Sequence, residues 1–152
     1  MDDLLARLVE AWGPNVARLG ELVELADCEL IASHGDDGQI LGILGYVVRG
    51  GSLEVVAINS FAEGRGVGRE LMNESRQIAV DRGCTRLWLI TTNDNTRAIA
   101  FYEAWGMSRV AEHLGAVDGS RASLKPTIPT HGANGAPIRD EFEYELRLEV
   151  GD

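Results

Sequence analysis

Cysteine, proline, aromatic side chains and positive charge are all scarce in this 152-residue chain. The two cysteines, Cys28 and Cys84, stand far apart without metal-ligand spacing. That excludes a disulfide framework or zinc ribbon and fits small reduced thiols in a cytoplasmic protein. No apolar run approaches the length of a membrane span, and the opening Met1-Asp2-Asp3 is acidic where a signal peptide would be basic. Fourteen Lys and Arg face twenty-four Asp and Glu, a formal net charge of -10. Such a field repels nucleic acid and anionic membrane and suits a cationic partner such as an amine. His34, His113 and His131 show no metal-ligand spacing, so no metal is expected. His34 and His131 read as turn residues, while His113 belongs to a strand and reads as structural. No Ser/His/Asp or cysteine nucleophile arrangement is present.

The apolar fraction of 45% and charged fraction of 25% are those of an ordinary globular protein. The length predicts a single domain over 1–152. Leu4, Leu5, Leu8, Val9 and Trp12 recur at helical spacing until Gly13-Pro14 stops them. Val16 to Leu25 is ambiguous, with a short strand around Glu21 to Glu24. Three strands then read as an antiparallel meander: Glu29 to Ser33, Gln39 to Val48 and Ser52 to Asn59, turned at His34–Gly38 and Gly50-Gly51. From Gly66 to Arg82 the period becomes helical, with Val67, Leu71, Ser75, Ile78 and Ala79 on one face and Gly83 as the stop. Leu87-Trp88-Leu89-Ile90 is the continuous run of a strand covered on both faces. Asn95 to Trp105 is a second helix, capped by Asn95 and ended by Gly106. The pattern lapses from Gly115 to Ile138, a long proline-containing loop. Phe142, Tyr144, Leu146, Leu148 and Val150 then alternate with charged residues as a half-buried strand.

The sharpest local signal is Glu63-Gly64-Arg65-Gly66-Val67-Gly68-Arg69, between a strand and a helix. Glycines there let the backbone curl around a ligand, and the free N–H groups of a helix N-terminus attract phosphate. A P-loop would need Gly-Lys-Ser/Thr where this chain has Gly-Val-Gly-Arg. A dinucleotide fingerprint would need a third glycine where Leu71 stands, in a parallel rather than an antiparallel context.

Taken with a second block, Asn95, Ala98, Phe101, Tyr102, Gly106 and Met107, the turn resembles the signature of the GNAT superfamily of acetyl-CoA-dependent N-acetyltransferases. The likeness is closest from Gln39 to Val110. It departs from the family at Glu63, where Gln or Arg is usual. The loop Lys125-Pro126-Thr127-Ile128-Pro129 resembles that of a bacterial subgroup of the family. The resemblance implies an α/β fold: a mixed, mostly antiparallel sheet, helices on both faces, and one parallel strand pair that splays apart. It implies acetyl-CoA as co-substrate, with no metal. The pantetheine arm would lie against the backbone of Val56, Ala57 and Ile58. The pyrophosphate would sit on the backbone of Arg65, Gly66, Val67, Gly68 and Arg69, and Asn95 would contact the thioester arm.

Acetyl transfer needs a neutral amine, a polarised carbonyl and a proton for the leaving thiolate. By the resemblance Tyr102 supplies that proton; by residue type alone it is a core aromatic, as Phe101 beside it is. Glu54 shares a strand face with Val56 and is the first candidate for the base, the alternative being a solvated strand residue. Asp140 and Glu141 compete as acceptor-binding residues, or Arg139-Asp140-Glu141 is a surface charge cluster. The loop from Gly115 to Ile138 is expected to fold over the acceptor. The expected function is direct transfer of acetyl to a primary amine, on a small cationic metabolite or a protein. Its rival is a non-catalytic acyl-CoA-binding module of the same fold. The last strand could pair with a second subunit as a homodimer.

Overall fold

The helical spacing of Leu4, Leu5 and Leu8 produces α1 (Asp3–Trp12), with Leu8 fully buried. Gly13, at φ 82°, ends it. The computed structural model describes residues 3–62, 64–132 and 135–149. The ambiguous segment that follows is a two-stranded sheet of β1 (Asn15–Arg18) and β2 (Glu21–Glu24). Its turn is Leu19-Gly20, with φ of 49° and 74°. Positive φ at both central residues is what a type I′ turn demands, and leucine is a poor residue for it. A 3₁₀ turn (Leu25–Asp27) leads to β3 (Glu29–His34), β4 (Ile40–Arg49) and β5 (Ser52–Ser60). Next come α2 (Val67–Asp81), β6 (Arg86–Thr92), α3 (Thr96–Trp105), β7 (Ser108–His113), α4 (Ala116–Ser123) and β8 (Glu141–Arg147).

The chain divides into two compact units, Met1–Val16 with Glu24–Leu87 and Arg147–Asp152, and Ala17–Val23 with Trp88–Leu146. In the first, β3-β4-β5 is the expected antiparallel meander. Thr85 N–H donates to the Gly51 carbonyl (2.8 Å), and β6 starts beside β5 as its parallel partner, making the sheet mixed. Two glycines of β4 show why both faces carry a helix. A Cβ at Gly45 would meet Leu8 of α1 at 3.3 Å, whereas one at Gly42 would meet Val67 of α2 at 2.5 Å. Positions 42 and 45 point to opposite faces of a strand, so α1 and α2 cover opposite faces. The buried stripe of α2 is Val67, Leu71, Met72, Ser75 and Ala79, and Gly83 (φ 72°) stops the helix.

In the second unit the strand order is β6-β8-β7, with β7 antiparallel to β8. Leu87, Leu89 and Thr91 are buried on one side of β6, while Trp88 and Ile90 are only half-buried. The expected full cover on both faces is therefore replaced by a lighter one, in which the Arg18 guanidinium lies 5.8 Å from the Trp88 ring centre. On β8, Tyr144 is fully buried. Val150, the last residue of the predicted strand, lies outside the described residues.

The segment from Gly115 to Ile138 is not wholly loop, because it opens with α4. Gly119, Ser120 and Ser123 give that helix poor intrinsic propensity, which hid it from the sequence pattern. Tertiary contacts hold it. The Asp140 carboxylate accepts from Gly115 N–H at its N-terminus (2.8 Å). Arg121 donates to the carbonyls of Ile128, Pro129 and Ile138 (3.0, 2.6 and 3.0 Å). Asn93 pins the far end, its amide donating to the Pro137 carbonyl (2.8 Å) and accepting from the N–H groups of Arg139 and Asp140 (3.0 Å each).

Gly42 should be intolerant of any side chain. Gly42→Ala is expected to cost about 1–3 kcal/mol through overpacking against Val67 and Leu71. The check is a lowered urea midpoint at unchanged slope; an unchanged midpoint would mean that α2 does not depend on this close approach.

Candidate active site

The glycine turn does what its composition suggests. Gly64 and Gly66 adopt φ of 73° and 70°, and a Cβ on either would meet nothing within 4 Å. Backbone conformation, not packing, selects glycine here. Gly66 is the N-cap of α2 and makes no side-chain cap. The first helical bond runs from Glu70 N–H to the Gly66 carbonyl (3.0 Å). The N–H groups of Val67, Gly68 and Arg69 therefore precede the ladder and point out of the helix end. Val67 anchors the turn, only 2% exposed, while Arg65 and Arg69 are exposed and make no ion pair among the described residues. Uncapped amides and two available guanidiniums in a chain of net charge -10 form a local anion cradle that fits a pyrophosphate. Glu63 lies outside the described residues.

The strand leading into the turn is irregular in a way the sequence does not announce. Gly45 of β4 pairs with Ala57 and Tyr46 pairs with Val55, so Val56 is the extra residue of a β-bulge. A bulge leaves one residue unpaired and bends the strand, at the segment Val56, Ala57 and Ile58 singled out for main-chain contacts. Val55, Val56 and Ala57 are buried and Ile58 is half-buried. Glu54, opposite Val47, is 4% exposed. It is therefore not the solvated strand residue that its charge alone allowed.

The second unit carries the other motif residues. Asn95 is the N-cap of α3 but its side chain makes no cap hydrogen bond, leaving an exposed amide. Tyr102 is the buried residue of α3, as its residue type alone suggested, whereas Phe101, expected to be a core aromatic, is only half-buried. The Tyr102 ring packs 5.5 Å from Phe101 and 6.4 Å from Tyr144, centre to centre. Its hydroxyl has no partner among the described residues, and burial pushes its pKa up to about 12. The phenol thus keeps its proton throughout the neutral range, as a proton donor must. Tyr144 is tied instead to structure: its hydroxyl donates to Glu103 (2.8 Å) and accepts from Arg109 Nε (3.0 Å). The Arg109 guanidinium in turn lies 4.1 Å from the Phe142 ring centre.

Asp140 and Glu141, paired by the sequence as rival acceptor residues, part company. Asp140 serves the start of α4 as described. Glu141 is 2% exposed, and its Oε1 accepts from Leu19 N–H at the hairpin turn (2.9 Å). Burial raises its pKa, opposed by that hydrogen bond and by the charges of His113 and Arg18. The 139–141 segment is therefore not a surface charge cluster. His113, on β7, contacts Glu143 at 3.2 Å. Among the described residues no cluster of three or more His, Cys, Asp or Glu could hold a metal ion, and no helix is long and apolar enough to cross a membrane.

A mixed sheet with helices on both faces, and a strand running through a glycine turn into an uncapped helix, define an α/β protein of the acyltransferase type of architecture. More narrowly, the chain belongs to the acetyltransferase (GNAT) family, whose model matches residues 3–107. It is 36% identical over 139 residues to the uncharacterized protein YdhI of Bacillus subtilis, covering 91% of this chain and 86% of that one. It is 30% identical over 89 residues to a streptothricin acetyltransferase of Streptomyces lavendulae, covering 56% of this chain and 47% of that one. The fold matches that of a Bacillus subtilis acetyltransferase in complex with CoA, with a TM-score of 0.74 and 18% identity over 98% of this chain and 94% of the other.

Tyr102 should leave a spectroscopic mark. Its folded pKa lies above the unfolded value of about 10. The stability it contributes is therefore complete below pH 10 and is lost as pH rises toward about 12. Tyr46 and Tyr144 are raised as well, chiefly by burial. An ultraviolet titration of the folded protein should show less tyrosinate near pH 10 than the unfolded chain. A Tyr102 that ionises at its ordinary pKa would contradict the burial.

Proposed function

We propose that this chain transfers an acetyl group from acetyl-CoA to a primary amine by direct attack in a ternary complex. The observation that carries the reading is the uncapped N-terminus of α2 behind Gly64 and Gly66, flanked by Arg65 and Arg69, which make no ion pair among the described residues. The main-chain N–H groups of Arg65, Gly66, Val67, Gly68 and Arg69 receive the pyrophosphate. The backbone of Val56, Ala57 and Ile58, freed in part from its ladder by the bulge, bonds the pantetheine amides, and an N–H of Ala57 or Ile58 polarises the thioester carbonyl. Asn95 contacts the thioester arm. The neutral amine attacks the carbonyl carbon, the C–S bond breaks, and the Tyr102 hydroxyl gives its proton to the departing thiolate. A thiol is ordinarily the stronger acid, at about 8.5, so the donation depends on the sulfur being held against the phenol.

Glu54, buried on this same strand, receives the proton released by the amine. The likeness to a protein named streptothricin acetyltransferase favours a small-molecule acceptor over a protein amino group. The segment 125–138, latched by Arg121, borders the acceptor. Neither Cys28 nor Cys84 is in a disulfide, which suits a reducing cytoplasm.

Calorimetric titration with acetyl-CoA, with NADH and ATP as controls, tests the cradle. Acetyl-CoA alone should bind, and Arg65→Ala with Arg69→Ala should weaken it about tenfold or more. Tyr102→Phe should leave that binding intact while lowering kcat by about 10²- to 10⁴-fold. Binding without transfer to any amine, indifferent to Tyr102→Phe, would make the chain a non-catalytic acyl-CoA-binding module instead.

A further inference from the structure

The Tyr102 hydroxyl has no hydrogen-bond partner among the described residues, so no polar group aims it. Its direction is set by what the ring leans on. One of those walls is the Tyr144 ring, 6.4 Å away centre to centre and tilted by 45°. Tyr144 is fully buried and, unlike Tyr102, is tied at its polar end. Its hydroxyl donates to Glu103 Oε2 (2.8 Å) and accepts from Arg109 Nε (3.0 Å). A neutral phenol between a carboxylate and a guanidinium makes charge-assisted bonds on both sides, the stronger class of hydrogen bond. Its one proton is committed to Glu103. The three residues come from three elements. Arg109 stands opposite Tyr144 in the β7–β8 register, braced by Glu112 (2.9 Å) and by the Phe142 ring (4.1 Å to its centre). Glu103 is the immediate neighbour of Tyr102 on α3.

That neighbour matters because α3 is thinly anchored. Tyr102 is the one buried residue of its ten, so the side chain assigned to the chemistry is also the buried foothold of the helix. A helix held at a single side chain can turn about it, and the phenol would turn with it. The Glu103–Tyr144 bond is a second point of attachment, one residue along the chain. We propose that Tyr144 is a positioning residue for acetyl transfer: with Glu103 and Arg109 it fixes α3 against β8 and so holds the Tyr102 phenol in one direction. The consequence for catalysis rests on the transfer reading; the fixing of the ring does not.

Tyr144→Phe keeps the buried ring and removes only the hydroxyl, and Glu103→Ala cuts the tie from its exposed side. The chain has three tyrosines, so carbon-13 at the ring Cζ gives three resonances, assigned by tyrosine-to-phenylalanine variants. In the whole protein without coenzyme, the Tyr102 line should be sharp in the wild type and broadened in both Tyr144→Phe and Glu103→Ala. Glu103→Gln, which keeps an acceptor for the Tyr144 hydroxyl, should restore the sharp line. Thiol release from acetyl-CoA, with n-butylamine as the first acceptor, then tests the link to transfer. Tyr144→Phe should lower kcat about 10- to 100-fold with acetyl-CoA affinity unchanged. In a Tyr102→Phe background it should lower kcat no further, because the group it positions is gone. A Tyr102 line as sharp in Tyr144→Phe and Glu103→Ala as in the wild type overturns the inference. So does a kcat loss that multiplies with that of Tyr102→Phe. Should Tyr144→Phe not fold, Glu103→Ala decides, since that side chain is exposed. A wild type that releases no thiol with any amine counts against the transferase reading alone, and the line widths still decide the positioning of the ring.

Discussion

The anion cradle exists only because α2 can lie hard against β4. A helix N-terminus is useful to a ligand when its first turn is immobile, and here the first turn is held by Val67, buried against a strand position that carries no side chain. Gly42 sets that distance. The close approach fixes where the helix begins, the two positive-φ glycines carry the chain from β5 into it, and the bulge at Val56 sits on the strand feeding that turn. Remove the close approach and the amides still exist, but their direction is no longer dictated by the core.

Electrostatics in the two units follow different rules. At the start of α2, charge is placed on the surface: Arg65 and Arg69 are exposed and make no ion pair among the described residues, so each stays hydrated. Around Tyr102 and Glu141, charge or its absence is set by burial. The phenol is kept neutral because nothing solvates a phenolate there. The carboxylate is tolerated because one backbone N–H and the more distant charges of Arg18 and His113 offset part of its cost.

Much of this was legible in the sequence. The meander, the glycine turn, both principal helices and the final strand follow from periodicity and punctuation, since each is a local property of consecutive residues. The α/β class and the GNAT relationship followed from two short blocks in the right order. The pattern could not show the bulge at Val56, because no glycine or proline marks it and only the pairing with Gly45 and Tyr46 defines it. It could not show α4, whose Gly119 and serines argue against a helix that Asp140 and Arg121 hold from outside. Nor could it rank the glutamates: Glu141 is covered by a turn 122 residues away in sequence, and alternation along β8 assigns a face without saying what lies over it. Phe101 was over-buried for the same reason, since adjacent aromatics on a helix differ in which one the sheet meets.

The latch on the segment after α4 grips main chain and not side chains. Arg121 holds three carbonyls and Asn93 holds one carbonyl and two N–H groups, main-chain groups that any residue but proline supplies. Sequence drift between Lys125 and Ile138 can therefore alter size, charge and shape at the tip while the two ends stay where they are. A chain built this way has a replaceable cassette on a fixed mount, whose surface can change without disturbing the strand and helix it is tied to.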